Sequence, residues 1–214
     1  MSEAPPLIVI GGATATGKTA LAIEIAEHIA ATGQPAEVIS ADSRQVFRGL
    51  DIGTAKASTA DRARVPHHGL DLVDPDAPFS LADYATHARA VLDDLSTRGG
   101  AAILAGGTGL YLRAIGRGLD TTALPSDPLI RARLEEDLSR DGLTALVDRL
   151  EVLAPSRMDT VDLRNPRRVV RALEIAELSG DEPLPQPRGY PGPSLWIGLS
   201  LATAEHQHLS LIHI

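Results

Sequence analysis

The chain has 214 residues, 43% hydrophobic and 22% charged, with no cysteine and a formal net charge of −8. Disulfides, thiolate metal sites and cysteine catalysis are excluded, and so are collagen-like and highly charged disordered classes. No run approaches the length of a membrane span and residues 1–6 lack the basic start of a secretory signal, so a cytoplasmic protein without a membrane partner is expected.

Residues 7–10 form a short continuous apolar run ending in glycine, the pattern of a buried parallel strand. Leu21, Ile25 and Ile29 then recur every four positions, predicting a helix over 19–31 that Gly33 and Pro35 close. A second strand is expected over 37–40. Residues 53–80 lack periodicity and read as loops with a short strand near 69–73. Ser80 and Asp83 resemble a capping box, and a helix follows with Leu81, Tyr84, Ala88, Val91, Leu92 and Leu95 on one face. Residues 101–105 predict a third buried strand, ended by Gly106 and Gly107. The alternation over 7–115 implies a parallel α/β sheet. Beyond Gly118 only helices are expected, over 127–140, 143–153 and 166–178, the last capped by Asn165 with Pro166 at its first position. A Pro/Gly-rich stretch over 183–193 precedes a further strand over 195–201. The expected fold is therefore an α/β, P-loop-like parallel sheet flanked by helices. Its core spans 1–120, a helical insertion spans 121–194, and the chain returns to the core over 195–214.

Gly12-Ala13-Thr14-Ala15-Thr16-Gly17-Lys18-Thr19 fits G-x-x-x-x-G-K-[ST] in full, with a strand before it and a helix after it. Glycines let backbone amides curl around phosphate oxygens, and the following helix directs its positive end at the same charge. Lys18 would reach the terminal phosphates, and the Thr19 hydroxyl would ligate Mg²⁺. The plain alternative is a glycine turn that binds nothing. Asp42 ends the second strand at the edge where open parallel sheets bind ligands. It could hold Mg²⁺ through water, act as a general base, or simply cap a turn. The glycine loop 106–109 ends the third strand at that same edge.

The basic residues are 18 Arg and only two Lys, Lys18 and Lys56. Where lysine persists in such a chain, a compact cation on a flexible stem can be required. Arg157, Arg164, Arg167, Arg168 and Arg171 cluster in an otherwise acidic chain. They suit phosphate-backbone contact, or a solvated helix face paired with Glu174 and Glu177. His67-His68 could bind a metal or a phosphate, but no third ligand sits at metal spacing, which favours a turn with solvated or capping histidines.

Together, 12–19, 40–56 (SADSRQVFRGLDIGTAK), 66–71 (PHHGLD) and 106–112 (GGTGLYL) resemble the tRNA dimethylallyltransferase (tRNA isopentenyltransferase) family, over about residues 7–208. The stretch 40–56 is the most specific part. The resemblance implies a P-loop fold in which residues 14–19 hold the diphosphate of dimethylallyl diphosphate with Mg²⁺. Thr14 and Lys18 join Asp42 as the catalytic set, and Asp42 is the base on N6 of an adenine next to the anticodon. It implies tRNA contacts at Asp42, Ser43, Arg44, Gln45, Thr108 and Arg131, and over Pro166, Arg167, Arg168, Val169 and Val170. The helical insertion would clasp the anticodon stem-loop. A monomer is expected. Chains of the family continue beyond residue 208, so a C-terminally truncated form is expected. Two other classes fit the bare motif: a small-molecule or nucleotide kinase with Asp42 activating a hydroxyl, and a non-catalytic RNA-binding fragment.

Overall fold

A computed structural model describes residues 4–119, 124–183 and 186–202. The elements run β1 (Leu7–Gly12), α1 (Lys18–Ala30), β2 (Ala36–Ser40), α2 (Thr59–Arg64), β3 (His67–His68), α3 (Leu81–Thr97), β4 (Ala101–Gly106), α4 (Gly109–Gly116), α5 (Pro128–Leu153), α6 (Pro166–Ser179) and β5 (Ser194–Leu199), with one 3₁₀ turn at Pro155–Arg157. They fall into two compact units. The first comprises the described residues up to 119 together with 187–202, and the second those from 124 to 186.

The first unit is a five-stranded sheet in the order β3-β2-β4-β1-β5 with every pair parallel. Successive side chains of a strand point to opposite faces, and here both faces are covered. Leu7, Val9, Ile39, Ala102 and Leu104 pack with Tyr84, Ala88, Leu92 and Leu95 of α3 and with Leu112 and Ile115 of α4. Ile10, Val38, Ile103 and Ala105 pack with Ala22, Ile23 and Ala26 of α1. Two buried faces explain why these strands read as unbroken apolar runs. β5 is an edge strand, and its Trp196 lies under the Arg117 guanidinium, 5.5 Å from the ring centroid.

Four local features depart from expectation. Residues 59–64 form a helix, started by a full capping box between Ser58 and Asp61. His67 and His68 form β3 instead of a turn, because Val38 and Ile39 pair with them and His68 Nε2 meets Glu37 Oε2 at 2.6 Å. The strand expected near 69–73 reduces to an isolated bridge between Phe47 and Val73. The glycine loop after β4 leads straight into α4.

The second unit is helical. α5 breaks at Gly142, whose φ of 82° and ψ of 170° are not helical, so the two helices expected over 127–140 and 143–153 meet there. Leu134, Leu146 and Leu150 pack with Val169, Val170 and Leu173 of α6. Glu174 lies fully buried at the centre. It accepts from the Asp127 amide at 2.9 Å, from Arg131 Nε at 3.0 Å and from Ser126 Oγ at 3.1 Å, and it pairs with Arg171 at 2.8 Å. Burial alone would raise its pKa. The arginines and the amide outweigh that and hold the carboxyl below its usual value. The helical unit ends at 186 and not at 194. Arg188 and Gly189 donate to Gly118 and Arg117, and Tyr190 Oη donates to Pro5, so this stretch belongs with the sheet.

Candidate active site

Three strand ends converge at one edge of the sheet. After β1 the loop 12–19 turns into α1. Gly17 caps that helix with φ 84° and no side-chain bond, leaving the first-turn amides open to an anion. Ala15 is also left-handed, at φ 65°. Gly12 is demanded by packing: a Cβ there would lie 2.5 Å from the Leu199 carbonyl oxygen of β5. The Ala13 carbonyl accepts from Thr16 Oγ1 at 2.9 Å and from the Lys18 ammonium.

After β2 the chain turns at Asp42, whose Oδ1 accepts the Arg44 amide at 2.9 Å. This turn is tied to the end of β4 twice, by the Thr108 amide to the Ala41 carbonyl at 3.0 Å and by the Ser43 amide to Thr108 Oγ1 at 2.9 Å. Gly106 makes the approach possible, since a Cβ there would sit 2.1 Å from the Ala41 carbonyl oxygen. Beneath the turn, Tyr84 Oη donates to the Ser40 carbonyl, and its ring stacks on Tyr111 with centroids 3.8 Å apart. Burial, with the fields of Asp42 and Asp83, raises the Tyr111 pKa, so both phenols stay neutral donors.

Between these ends lies a cavity of about 350 Å³. Thr14, Lys18 and Thr19 line one side, Asp42 and Gln45 the floor, and residues 54–57 the far wall. Burial lowers the Lys18 pKa, and the Asp42 carboxylate partly opposes the shift. The ammonium and the carboxylate therefore act on one another inside a single concavity. Asp61 and Arg64 of α2 reach the rim, where Arg64 grips Glu27 of α1 with two bonds of 2.8 Å.

The far wall was not legible in the chain. Gln45 joins it to the floor: Nε2 donates to the Thr54 carbonyl at 2.9 Å and Oε1 accepts from Ser40 Oγ at 2.7 Å. The side chain expected to face tRNA is thus committed to the protein, while Arg44 stays exposed. The one sequence signal pointing to the wall was the surviving Lys56.

In the helical unit the arginine cluster divides. The side chain of Arg164 is 96% exposed and that of Arg168 65%, and Arg167 is also exposed. Arg157 is buried and caps the Gly180 and Glu182 carbonyls. Arg171 and Arg131 bind Glu174, leaving Arg131 partly exposed. Within the stretch expected to meet tRNA, the side chains of Val169 and Val170 are buried in the core of this unit, while Pro166, Arg167 and Arg168 are exposed.

The family model described as IPP transferase matches residues 45–208. The chain belongs to the IPP transferase family. It is 44% identical over 206 residues to a tRNA dimethylallyltransferase of Bifidobacterium longum, covering 94% of this chain and 62% of that relative. A tRNA dimethylallyltransferase of Deinococcus radiodurans is 45% identical over 180 residues, covering 84% of this chain and 56% of its own length. The solved full-length tRNA isopentenylpyrophosphate transferase of Bacillus halodurans aligns with a TM-score of 0.56 at 36% identity, over 90% of this chain and 59% of that one. A eukaryotic dimethylallyltransferase shares the fold, with a TM-score of 0.75 at 24% identity over 98% of this chain and 55% of that one. The chain spans about three-fifths of the length of the curated relatives it matches. Among its described residues, no helix is long and apolar enough to cross a membrane.

Proposed function

We propose that this chain is the phosphate-binding and base-bearing part of an enzyme that moves a dimethylallyl group from dimethylallyl diphosphate to N6 of an adenosine beside the anticodon of tRNA. The observation that carries this reading is the shared cavity of Lys18 and Asp42 in a chain of the IPP transferase family. The helix N-terminus and Lys18 suit the diphosphate, whose charge grows as it leaves. Asp42, beyond the end of β2 at the same sheet edge, suits a base.

In this reading N6 attacks the allylic carbon, the carbon–oxygen bond breaks, diphosphate departs, and the N6 proton passes to Asp42. An adenine amine is a weak nucleophile, so a fixed carboxylate and a fixed leaving group are both needed. The base must be unstacked to enter a cavity, which favours a loop nucleotide. Mg²⁺ fits the donors present. Thr19 and Asp42 line one cavity, and no group of three or more His, Cys, Asp or Glu forms a metal site among the described residues. Such a set suits an ion held largely by phosphate oxygens. When bound, it would neutralise charge on the diphosphate. Ser43, Arg44 and Thr108, around the turn that carries Asp42, supply donors for tRNA. Within the helical unit, taken by itself, the exposed Arg167 and Arg168 and the partly exposed Arg131 supply positive charge suited to RNA phosphates.

The test uses labelled dimethylallyl diphosphate, Mg²⁺ and tRNA, with this chain extended by the C-terminal remainder of the B. longum relative. Label enters tRNA with the parent and is lost with Asp42→Ala and Lys18→Ala. Equal labelling by Asp42→Ala would remove the carboxylate from the mechanism.

A further inference from the structure

We infer that Lys56 is a positioning residue for the diphosphate cavity, a role that rests on reading 12–19 as a diphosphate cradle. Its side chain is 1% exposed, and the ammonium has three acceptors, two in the loop that carries Lys56 itself and one beyond β3: the Phe47 carbonyl at 2.8 Å, Asp51 Oδ1 at 2.8 Å and Asp71 Oδ1 at 2.7 Å. An ammonium carries three donors, so each proton has one partner.

What these bonds immobilise is the cavity itself. Lys56 belongs to the far wall, between Ala55 and Ala57, and its own amide donates to the Asp51 carbonyl at 3.1 Å. Ala55 is held at φ 50° and Asp71 at φ 54°, backbone conformations that persist only where surrounding bonds hold them. Asp71 passes the constraint onward. Its amide donates to the Gln45 carbonyl at 3.1 Å, and its Oδ2 accepts from Arg62 at 2.8 Å. Gln45 in turn grips Thr54 and Ser40, the strand end from which Asp42 projects. One buried cation thus sets the wall facing the phosphate loop and, through Gln45, the floor.

The geometry also accounts for lysine in a chain that otherwise uses arginine. Three acceptors from different directions around one buried point suit a compact ammonium. A planar guanidinium is larger and directs its donors into one plane. Lys56→Arg keeps the charge and is nevertheless expected to fail.

The experiment measures magnesium pyrophosphate binding by calorimetry to the 214-residue chain and to Lys56→Met, Lys56→Arg, Asp51→Asn and Lys18→Ala, with circular dichroism checking that each is folded. The expected result is a loss of about tenfold in affinity for both Lys56 variants. A smaller loss is expected for Asp51→Asn, whose side chain is 65% exposed, and a loss of roughly 10- to 100-fold for Lys18→Ala. Unchanged affinity in folded Lys56→Arg, with Lys18→Ala still defective, overturns the positioning role and leaves the phosphate cradle standing. If Lys56→Met does not fold, Lys56→Arg and Asp51→Asn decide by the same criterion. A parent chain that does not bind pyrophosphate overturns the cradle and this role with it.

Discussion

The hydroxyl of Thr108 accepts the Ser43 amide at 2.9 Å and so ties the loop after β4 to the turn that carries Asp42. The same hydroxyl donates to Ser43 Oγ at 3.3 Å, so residues 65 positions apart are joined twice next to Asp42. Thr108→Val keeps the shape and removes the acceptor. The expected cost is about 1 kcal/mol of stability, read by urea denaturation. The transfer rate should fall more than pyrophosphate affinity, because the loosened turn holds the base and not the phosphate loop.

Asp42 and Lys18 separate the two halves of the proposed chemistry. Asp42→Asn should lower the transfer rate by about 10²- to 10⁴-fold, the range for a positioned base, while pyrophosphate still binds. Lys18→Ala should weaken pyrophosphate binding by roughly 10- to 100-fold, as expected for a lost charge-assisted bond. Calorimetry beside single-turnover rates separates the two effects.

The Lys18 ammonium sets an alkaline limit on phosphate binding. Burial lowers its pKa below 10.5 and Asp42 partly restores it. Binding that needs the charged form weakens as pH rises through that lowered pKa. Removing the carboxylate removes the restoring field, so in Asp42→Asn the alkaline limb should move to lower pH. Pyrophosphate affinity measured across the alkaline range checks the direction.

Two glycines at the site should respond differently to alanine. At Gly106 the added carbon would lie 2.1 Å from the Ala41 carbonyl oxygen, so Gly106→Ala should cost about 3 kcal/mol or more and displace the Asp42 turn. At Gly17 nothing lies within 4 Å and only the left-handed φ of 84° resists, so Gly17→Ala should cost about 1–2 kcal/mol. Chemical denaturation of both variants gives the comparison.

Glu174 makes the helical unit acid-sensitive. Its carboxyl is held below the ordinary value of 4.5, so its contribution is complete above about that pH and is lost as pH falls through the lowered pKa. Glu174→Gln leaves Arg131 and Arg171 without their carboxylate. Both are partly exposed, so the loss should be about 2 kcal/mol, below the range for fully buried pairs. Denaturation of parent and variant at neutral pH and near pH 3 should show the difference shrinking in acid.

The parts legible in the chain are those in which neighbouring residues carry the whole signal. β1, β2 and β4 are buried on both faces and read as apolar runs, and the phosphate loop announces itself in eight consecutive residues. The Ser80 capping box was visible for the same reason. α2 was hidden because its six residues are too few to show a period and bury none of their side chains. β3 was hidden because two histidines resemble a turn until Glu37 is placed beside them. Lys56 stood out by composition, but its partners Phe47, Asp51 and Asp71 come together only through folding. Glu174 looked like a solvent-side partner for the arginines. Its burial depends on how α5 packs on α6, which no local pattern encodes.

The most direct test of the central claim is the identity of the product nucleoside. tRNA incubated with Mg²⁺, dimethylallyl diphosphate and the chain extended by the remainder of the B. longum relative is digested to nucleosides and read by mass spectrometry. The expected product is an adenosine carrying the dimethylallyl group on N6, formed by the parent and lost in Asp42→Asn and Lys18→Ala. Formation of that nucleoside by Asp42→Asn at the parent rate would contradict the assigned base. Its absence with the parent, together with phosphate transfer from ATP to a small acceptor, would contradict the transferase reading as a whole.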